Sequence, residues 1–229
     1  MKAVILAAGK GTRLLPLTEN IPKVLVEVNG KPFLSYVIDN LKKAGITELG
    51  IIVGFKKEKI VRFLKENNIQ ATLIEQKEQL GTGHAVLQAK EFCGNDNFLA
   101  LGGDNLFSVK DLLSVKNDDN LCYLLGKEVE EWKKYGVLVV EDGKLLKIIE
   151  KPQDFVGRLI NAGLYKFPPG IWGALDKMEL SARGEYELTD AISLLAKEGK
   201  VKVLKLQDYW LDLGCKGDIA KIELFLSKS

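Results

Sequence analysis

The chain is poor in the residues that carry most metal and nucleophile chemistry. Its 229 residues include one histidine, His84, and three cysteines, Cys93, Cys122 and Cys215. A single imidazole leaves neither a zinc ligand set nor a Ser-His-Asp triad. The cysteines are far apart, odd in number and form no Cys-x-x-Cys, so they are expected to be buried thiols in a reducing compartment. Charge of one sign is also lacking: 33 Lys and Arg against 31 Asp and Glu leave a net +2. There is no basic tract and no acidic tail, and no global field to draw the chain to nucleic acid or to a membrane surface. No apolar run approaches a membrane span. The apolar N-terminus is too short for a secretion signal and is interrupted by glycine and charge. A cytoplasmic location is therefore expected. No Ser/Gly/Pro linker divides the chain, and no internal repeat is visible.

What the chain does have is concentrated at its beginning. A short apolar run, Ala3 to Ala8, leads directly into Gly9-Lys10-Gly11-Thr12-Arg13-Leu14, with Pro22-Lys23 downstream. Glycines let backbone N–H groups approach an anion closely, and Lys and Arg neutralise charge that the backbone cannot. Such a loop at the carboxyl end of a first strand suits phosphate. It is not a Walker A loop, because the order of Gly, Lys and Thr is wrong. It is not a dinucleotide fingerprint either, because Leu14 stands where the third glycine belongs.

The first half alternates strands and helices. Strands are expected at Ala3–Leu6, 49–53, 71–74 and 98–101, the last running into Gly102-Gly103-Asp104-Asn105. Leu34, Val37, Ile38 and Leu41 mark one helix, closed by Gly45, and Ile60, Phe63 and Leu64 a second. That alternation implies a parallel sheet with helices on both faces. The second half changes character. Asp142-Gly143 predicts a hairpin between strands at 137–140 and 145–149. A strand at 160–167 stops at Pro168-Pro169, Leu188, Ile192 and Leu195 mark a helix, and a strand at 201–204 follows. A last helix carries Ile219, Ile222 and Leu226.

Several segments could carry chemistry. Asp104 lies just past a strand, where open α/β sheets bind ligands, although a lone Asp there could simply cap the next helix. Asp212 lies between Leu211 and Leu213, an odd place for a merely solvated acid. Two carboxylates plus phosphate oxygens make a reasonable magnesium site, because Mg²⁺ takes few protein ligands. Gln76 precedes Leu80-Gly81-Thr82-Gly83-His84-Ala85. Its amide can both donate to and accept from a pyrimidine edge, while Thr82 could equally be a helix cap and His84 a packing residue. Glu150-Lys151-Pro152 and Asn161-Ala162-Gly163-Leu164-Tyr165 are the remaining polar constellations. Arg183 to Asp190 has no assigned role, and Glu187 and Thr189 there could simply start a helix.

Taken together, these stretches resemble the sugar-1-phosphate nucleotidylyltransferases, whose signature is a Leu-Ala-Ala-Gly-x-Gly-Thr-Arg-Leu run followed by Pro-Lys. The resemblance runs from Lys2 to about Leu226. It implies a doubly wound α/β fold with a mostly parallel, mixed sheet, Rossmann-like, with an inserted sugar-binding lobe. One domain would span residues 1–229, with a nucleotide-binding half at about 1–110 and a sugar-binding half at about 120–215. It implies a reaction of a nucleoside triphosphate, dTTP or UTP, with glucose-1-phosphate or N-acetylglucosamine-1-phosphate, giving a nucleoside-diphosphate sugar and pyrophosphate. By the same resemblance, Leu6, Ala7, Ala8, Gly9, Gly11, Thr12, Arg13, Gln76, Leu80, Gly81 and Thr82 hold the nucleotide. Arg13, Lys23 and Asp104 are catalytic, and Asp104 with Asp212 binds Mg²⁺. Gly136, Glu150, Lys151 and Asn161 hold the sugar phosphate.

The motifs point both to uridylyl and to thymidylyl transfer, and one methyl group separates the two bases, worth only about 1 kcal/mol. This sequence holds no hexapeptide run, so a fused acetyltransferase is not expected. A homo-oligomer is left open. Two alternatives remain: a non-catalytic sugar-nucleotide-binding regulatory subunit, and a cytidylyltransferase acting on a non-sugar phosphate.

Overall fold

The computed structural model describes residues 1–228. The first half of the chain runs β1 (Lys2–Ala7), β2 (Glu27–Val28), β3 (Lys31–Pro32), α1 (Phe33–Lys43), β4 (Leu49–Val53), α2 (Lys57–Glu66), β5 (Thr72–Glu75), α3 (Thr82–Leu87), α4 (Lys90–Cys93), β6 (Phe98–Gly102), β7 (Asn105–Phe107) and α5 (Val109–Ser114). The second half runs β8 (Cys122–Glu128), β9 (Gly136–Glu141), β10 (Lys144–Glu150), β11 (Leu159–Phe167), α6 (Ile171–Leu175), α7 (Leu188–Lys197), β12 (Val201–Lys205), β13 (Trp210–Asp212) and α8 (Lys216–Leu226).

Nine strands form one sheet in the order β5-β4-β1-β6-β11-β8-β12-β10-β9. The pairs β5/β4, β4/β1, β1/β6 and β8/β12 are parallel, while β11 and β10 run antiparallel to their neighbours. The sheet is thus mixed with one prevailing direction, as expected. The second half of the chain continues this sheet beyond β6 instead of forming a separate one.

Side chains of β1 alternate between two cores. Ala3, Ile5 and Ala7 pack on one face with α1, α2 and α5, while Val4 packs on the other with α3, α6 and α7. A central strand buried on both faces needs a continuous apolar run, which is why β1 and β4 read as unbroken hydrophobics. The hairpin forms as expected, with Asp142 and Gly143 both at positive φ, 48° and 73°, and β9 pairing β10.

The structure departs from the sequence reading in several places, the short elements β2, β3, α4, α5 and α6 among them. Strand β8, buried and central, was not anticipated, nor were the three-residue strands β7 and β13. Cys215 is exposed, unlike the buried Cys93 and Cys122. Thr82 does not cap α3: Gly81 holds the cap position with no side-chain bond.

The chain passes from β1 to β4 on one side of the sheet and later returns to β6 on β1's other side. This reversal opens a crevice outside the carboxyl ends of β1 and β6, the usual place for a ligand in open α/β sheets.

Candidate active site

A cavity of about 550 Å³ lies at that crevice. Its walls come from the loop after β1 (Leu6, Ala7, Ala8, Gly9, Gly11), from Lys23, from Gln76, Gly81 and Thr82, and from Gly102, Asp104 and Asn105 after β6. The opposite wall is Glu150, Asn161, Gly163, Tyr165, Glu185, Glu187, Leu188 and Thr189. Residues from both halves of the chain therefore face one space.

The β1 loop is held at several points. Gly103 N donates to Leu6 O at 2.9 Å, Phe55 N to Ala8 O at 3.1 Å, and Gln79 Nε2 to Ala8 O at 2.8 Å. Gly11 sits at φ 64°, and a Cβ there would lie 2.7 Å from Lys23 Cβ. Glycine at this turn both permits the left-handed backbone and leaves room for Lys23 to pass beneath the loop. Lys23 is buried and places Nζ 2.5 Å from Asp104 Oδ2. Asp104 caps no helix. Its other oxygen, Oδ1, accepts from Asn105 Nδ2 at 2.9 Å, and Asn105 Oδ1 accepts from Trp210 Nε1 at 2.6 Å.

Asp212 reaches the same place by strand pairing. β13 runs antiparallel to β7 with Asp212 opposite Asn105, and Leu213 N donates to Asp104 O at 2.9 Å. The segment before β13 is tied down by Asp111, fully buried, which accepts from Gln207 N at 2.7 Å and from Ser108 Oγ at 2.6 Å. Burial, and then the neighbouring Asp104 carboxylate, push the Asp212 carboxyl up to about 6. A mostly buried carboxylate with no hydrogen-bond donor among the described residues, beside a second carboxylate, is a place that favours a cation. Among the described residues no third His, Cys, Asp or Glu joins them. Two carboxylates fit Mg²⁺, which keeps several positions for water and substrate phosphate.

On the opposite wall, Glu150 pairs with Gly136 across the β9/β10 ladder. A Cβ on Gly136 would lie 2.8 Å from Glu150 Oε1, so glycine makes room for that carboxylate. Burial raises the Glu150 carboxyl, and a hydrogen bond from Thr189 acts the other way. Asn161 stands where the β11/β8 register shifts. It donates to Tyr165 Oη at 2.7 Å and accepts from Gly163 N at 3.0 Å.

Some expected residues lie outside this wall. Thr12 and Arg13 are exposed on a single 3-10 turn, Thr12–Leu14. The positive charge of Arg13 nevertheless acts on Asp212. Leu80 contributes its carbonyl to Tyr186 N at 2.7 Å. Lys151 is exposed, with its N–H bonded to Tyr135 O at 3.0 Å. Conversely, the 183–190 stretch, which had no assigned role, lines the cavity through Glu185, Glu187, Leu188 and Thr189. Glu187 does precede α7, yet caps it with no side-chain bond. It binds Arg183 Nη2 at 2.7 Å instead. Leu188 N donates to Thr82 Oγ1 at 3.2 Å, joining this stretch to the loop after Gln76.

The profile of the family described as Nucleotidyl transferase covers residues 2–229. The chain belongs to the nucleotidyl transferase family. It is 42% identical over 230 residues to a bifunctional protein GlmU of Methanococcus aeolicus, covering all of this chain and 55% of that protein. It is 37% identical to the UTP–glucose-1-phosphate uridylyltransferase AglF of Haloferax volcanii, covering 95% of this chain and 93% of that one. The chain thus spans about half the length of several curated relatives it matches. Among solved structures it is similar to a UDP-glucose pyrophosphorylase complexed with UDP-glucose. The TM-score is 0.88 at 26% identity, covering 99% of this chain and 98% of that one. As a nucleotidyl transferase it carries no helix, among the described residues, long and apolar enough to cross a membrane.

Proposed function

We propose that this chain transfers a nucleotidyl group from a pyrimidine nucleoside triphosphate to a sugar-1-phosphate, releasing pyrophosphate. The observation that carries the proposal is the apposition of Asp104, which lines the cavity and pairs with Lys23, and Asp212, brought beside it by β13, with Glu150, Glu185 and Glu187 lining the same cavity. A relative named as a uridylyltransferase over nearly its whole length, and a fold neighbour holding UDP-glucose, support the substrate classes.

In this reading the nucleotide half is about residues 1–110, and the sugar half about 120–215. The backbone of Leu6 to Gly11 cradles the phosphates, and Arg13 at the rim closes over the β- and γ-phosphates. Gln76 reads the base: its Nε2 is bonded to Gly81 O at 3.1 Å, and its amide faces the cavity. Glu150 and Asn161 accept from and donate to sugar hydroxyls, and Lys151 swings in from the surface to the sugar phosphate. Asp104 and Asp212 would hold Mg²⁺, which screens phosphate charge and stabilises charge built up at the α-phosphorus.

The nucleophile is the sugar phosphate oxygen. It is already an anion, so the protein need not remove a proton. The obstacle is repulsion between two polyanions, so holding them in line supplies the rate. Lys23, paired with Asp104 before substrate arrives, is placed to share its charge with the α-phosphate as the bond to pyrophosphate breaks. The test is pyrophosphate release measured over a grid of UTP, dTTP, CTP and ATP against several sugar-1-phosphates. Turnover with UTP or dTTP and a hexose-1-phosphate is expected. Release only with CTP and a non-sugar phosphate, or none with any pair, would overturn the proposal.

A further inference from the structure

His84, the only histidine, lies between two amides. Gln76 Nε2 is 3.1 Å from His84 Nδ1, and Gln88 Nε2 is 3.1 Å from His84 Nε2. A neutral imidazole carries one N–H, so it can accept from only one of these amides. Gln76 is buried, and its NH₂ is already committed to Gly81 O at 3.1 Å, so turning that amide over would set two carbonyl oxygens face to face. Gln88 is only half-buried and ends α3. Its Nε2 also lies 3.2 Å from His84 O, a contact that water can replace at a half-buried residue, so of the two amides it is the one that can turn its oxygen to the ring. The ring proton therefore sits on Nε2, facing Gln88, and Nδ1 accepts from Gln76.

At the cavity, this arrangement uses both donors of the Gln76 amide, one N–H on Gly81 O and the other on His84 Nδ1. Its Oε1 has no protein partner and is not sealed from solvent, so among the described residues it is the amide atom left for a ligand. We propose that His84, held by Gln88, is a positioning residue that acts with Gly81 O to keep Gln76 turned as an acceptor, and so strengthens selection of a base carrying a ring N–H there. The inference rests on the assignment of Gln76 to the base given above. Uracil and thymine offer an N3–H to such an acceptor. Cytosine presents a bare N3 in the same place and sets acceptor against acceptor. Without His84 only Gly81 O at 3.1 Å holds the amide in this orientation, so the preference for a ring N–H weakens.

The test is equilibrium titration of the protein with UTP and with CTP, without sugar phosphate, so that no turnover is needed. The wild type should bind UTP at least about tenfold tighter than CTP, the size of one mispaired buried amide. His84→Leu should lower that ratio by at least about threefold. His84→Gln, which can again present an acceptor to Gln76, should restore most of the preference. Gln88→Leu, on the more exposed partner, should lower it in between and carries the test if His84→Leu fails to fold. The KM for sugar-1-phosphate at saturating UTP should not move, whereas a general loosening of the fold would move it. An unchanged UTP/CTP ratio in His84→Leu or Gln88→Leu, where the wild type shows the preference, overturns the role of His84. A wild type without the preference overturns the base assignment itself.

Discussion

Replacing Asp212 by asparagine should make the metal-free protein more stable while abolishing its activity. Asp212 titrates near 6 in the folded chain, against an ordinary value of 3.8, because it is buried and lies beside Asp104. A carboxyl whose folded pKa is raised binds its proton more tightly folded than unfolded, so stability falls as pH rises from about 4 to about 6 and is level above that. Raising a carboxyl from 3.8 to about 6 costs about 3 kcal/mol once it is ionised, reduced by whatever water at the cavity mouth screens. Asp212→Asn removes that cost. For a chain of this size, about 2–3 kcal/mol corresponds to a rise in Tm of about 4–12 °C at pH 8, shrinking toward nothing at pH 4. Thermal unfolding in EDTA, across pH 4 to 8, measures it. Mg²⁺ should stabilise the wild type more than the variant, because only the wild type keeps both carboxylates. A variant less stable than wild type at pH 8, or a gap that does not change with pH, would refute the electrostatic reasoning.

Other expectations follow from the placement of charge and of glycine. Arg13→Ala and Lys23→Ala should lose mainly kcat, and Lys151→Ala should raise the KM for sugar-1-phosphate about ten- to a hundredfold, with less effect on that for nucleotide. Steady-state kinetics with each substrate varied in turn separates them; Lys151→Ala acting on nucleotide alone would contradict the two-half division. Gly136→Ala places a methyl against Glu150 Oε1 at 2.8 Å, so it should raise the KM for sugar-1-phosphate while leaving that for UTP near wild type. An unaffected Gly136→Ala enzyme would remove Glu150 from the sugar site.

How much of this was legible depended on where the signal lay along the chain. The β1 loop could be singled out because its glycines and cations are close in sequence, and their suitability for phosphate needs no tertiary context. The strand and helix alternation of the first half was equally open, since β1, β4 and β6 are unbroken apolar runs and α1 and α2 carry apolar residues at helical spacing. β8 was missed because Cys122 to Leu125 is a short apolar run without alternation, equally compatible with a strand or a buried helical turn. β7 and β13 are three residues each, too short for any period. The convergence of Asp104 and Asp212 is carried by the pairing of those two strands, residues more than a hundred positions apart, so sequence pattern could suggest each acid but not their meeting. The same holds for Gln76 and His84: they lie eight residues apart, but only the turn at Gly81 brings amide and ring together. In the 183–190 stretch, sequence offered a helix start, and the cavity-facing side of Glu185, Glu187 and Thr189 appears only once α7 is packed against α3.

The proposed mechanism centres on a sugar phosphate oxygen attacking an α-phosphate held at Asp104. UTP labelled at its α-phosphate, incubated with Mg²⁺ and glucose-1-phosphate or N-acetylglucosamine-1-phosphate, tests this directly. The label should appear on a nucleoside-diphosphate sugar, only when the sugar phosphate is present, and not at all with folded Asp104→Asn protein. Label released as free UMP, label fixed on the protein, or an Asp104→Asn enzyme running near the wild-type rate would contradict it.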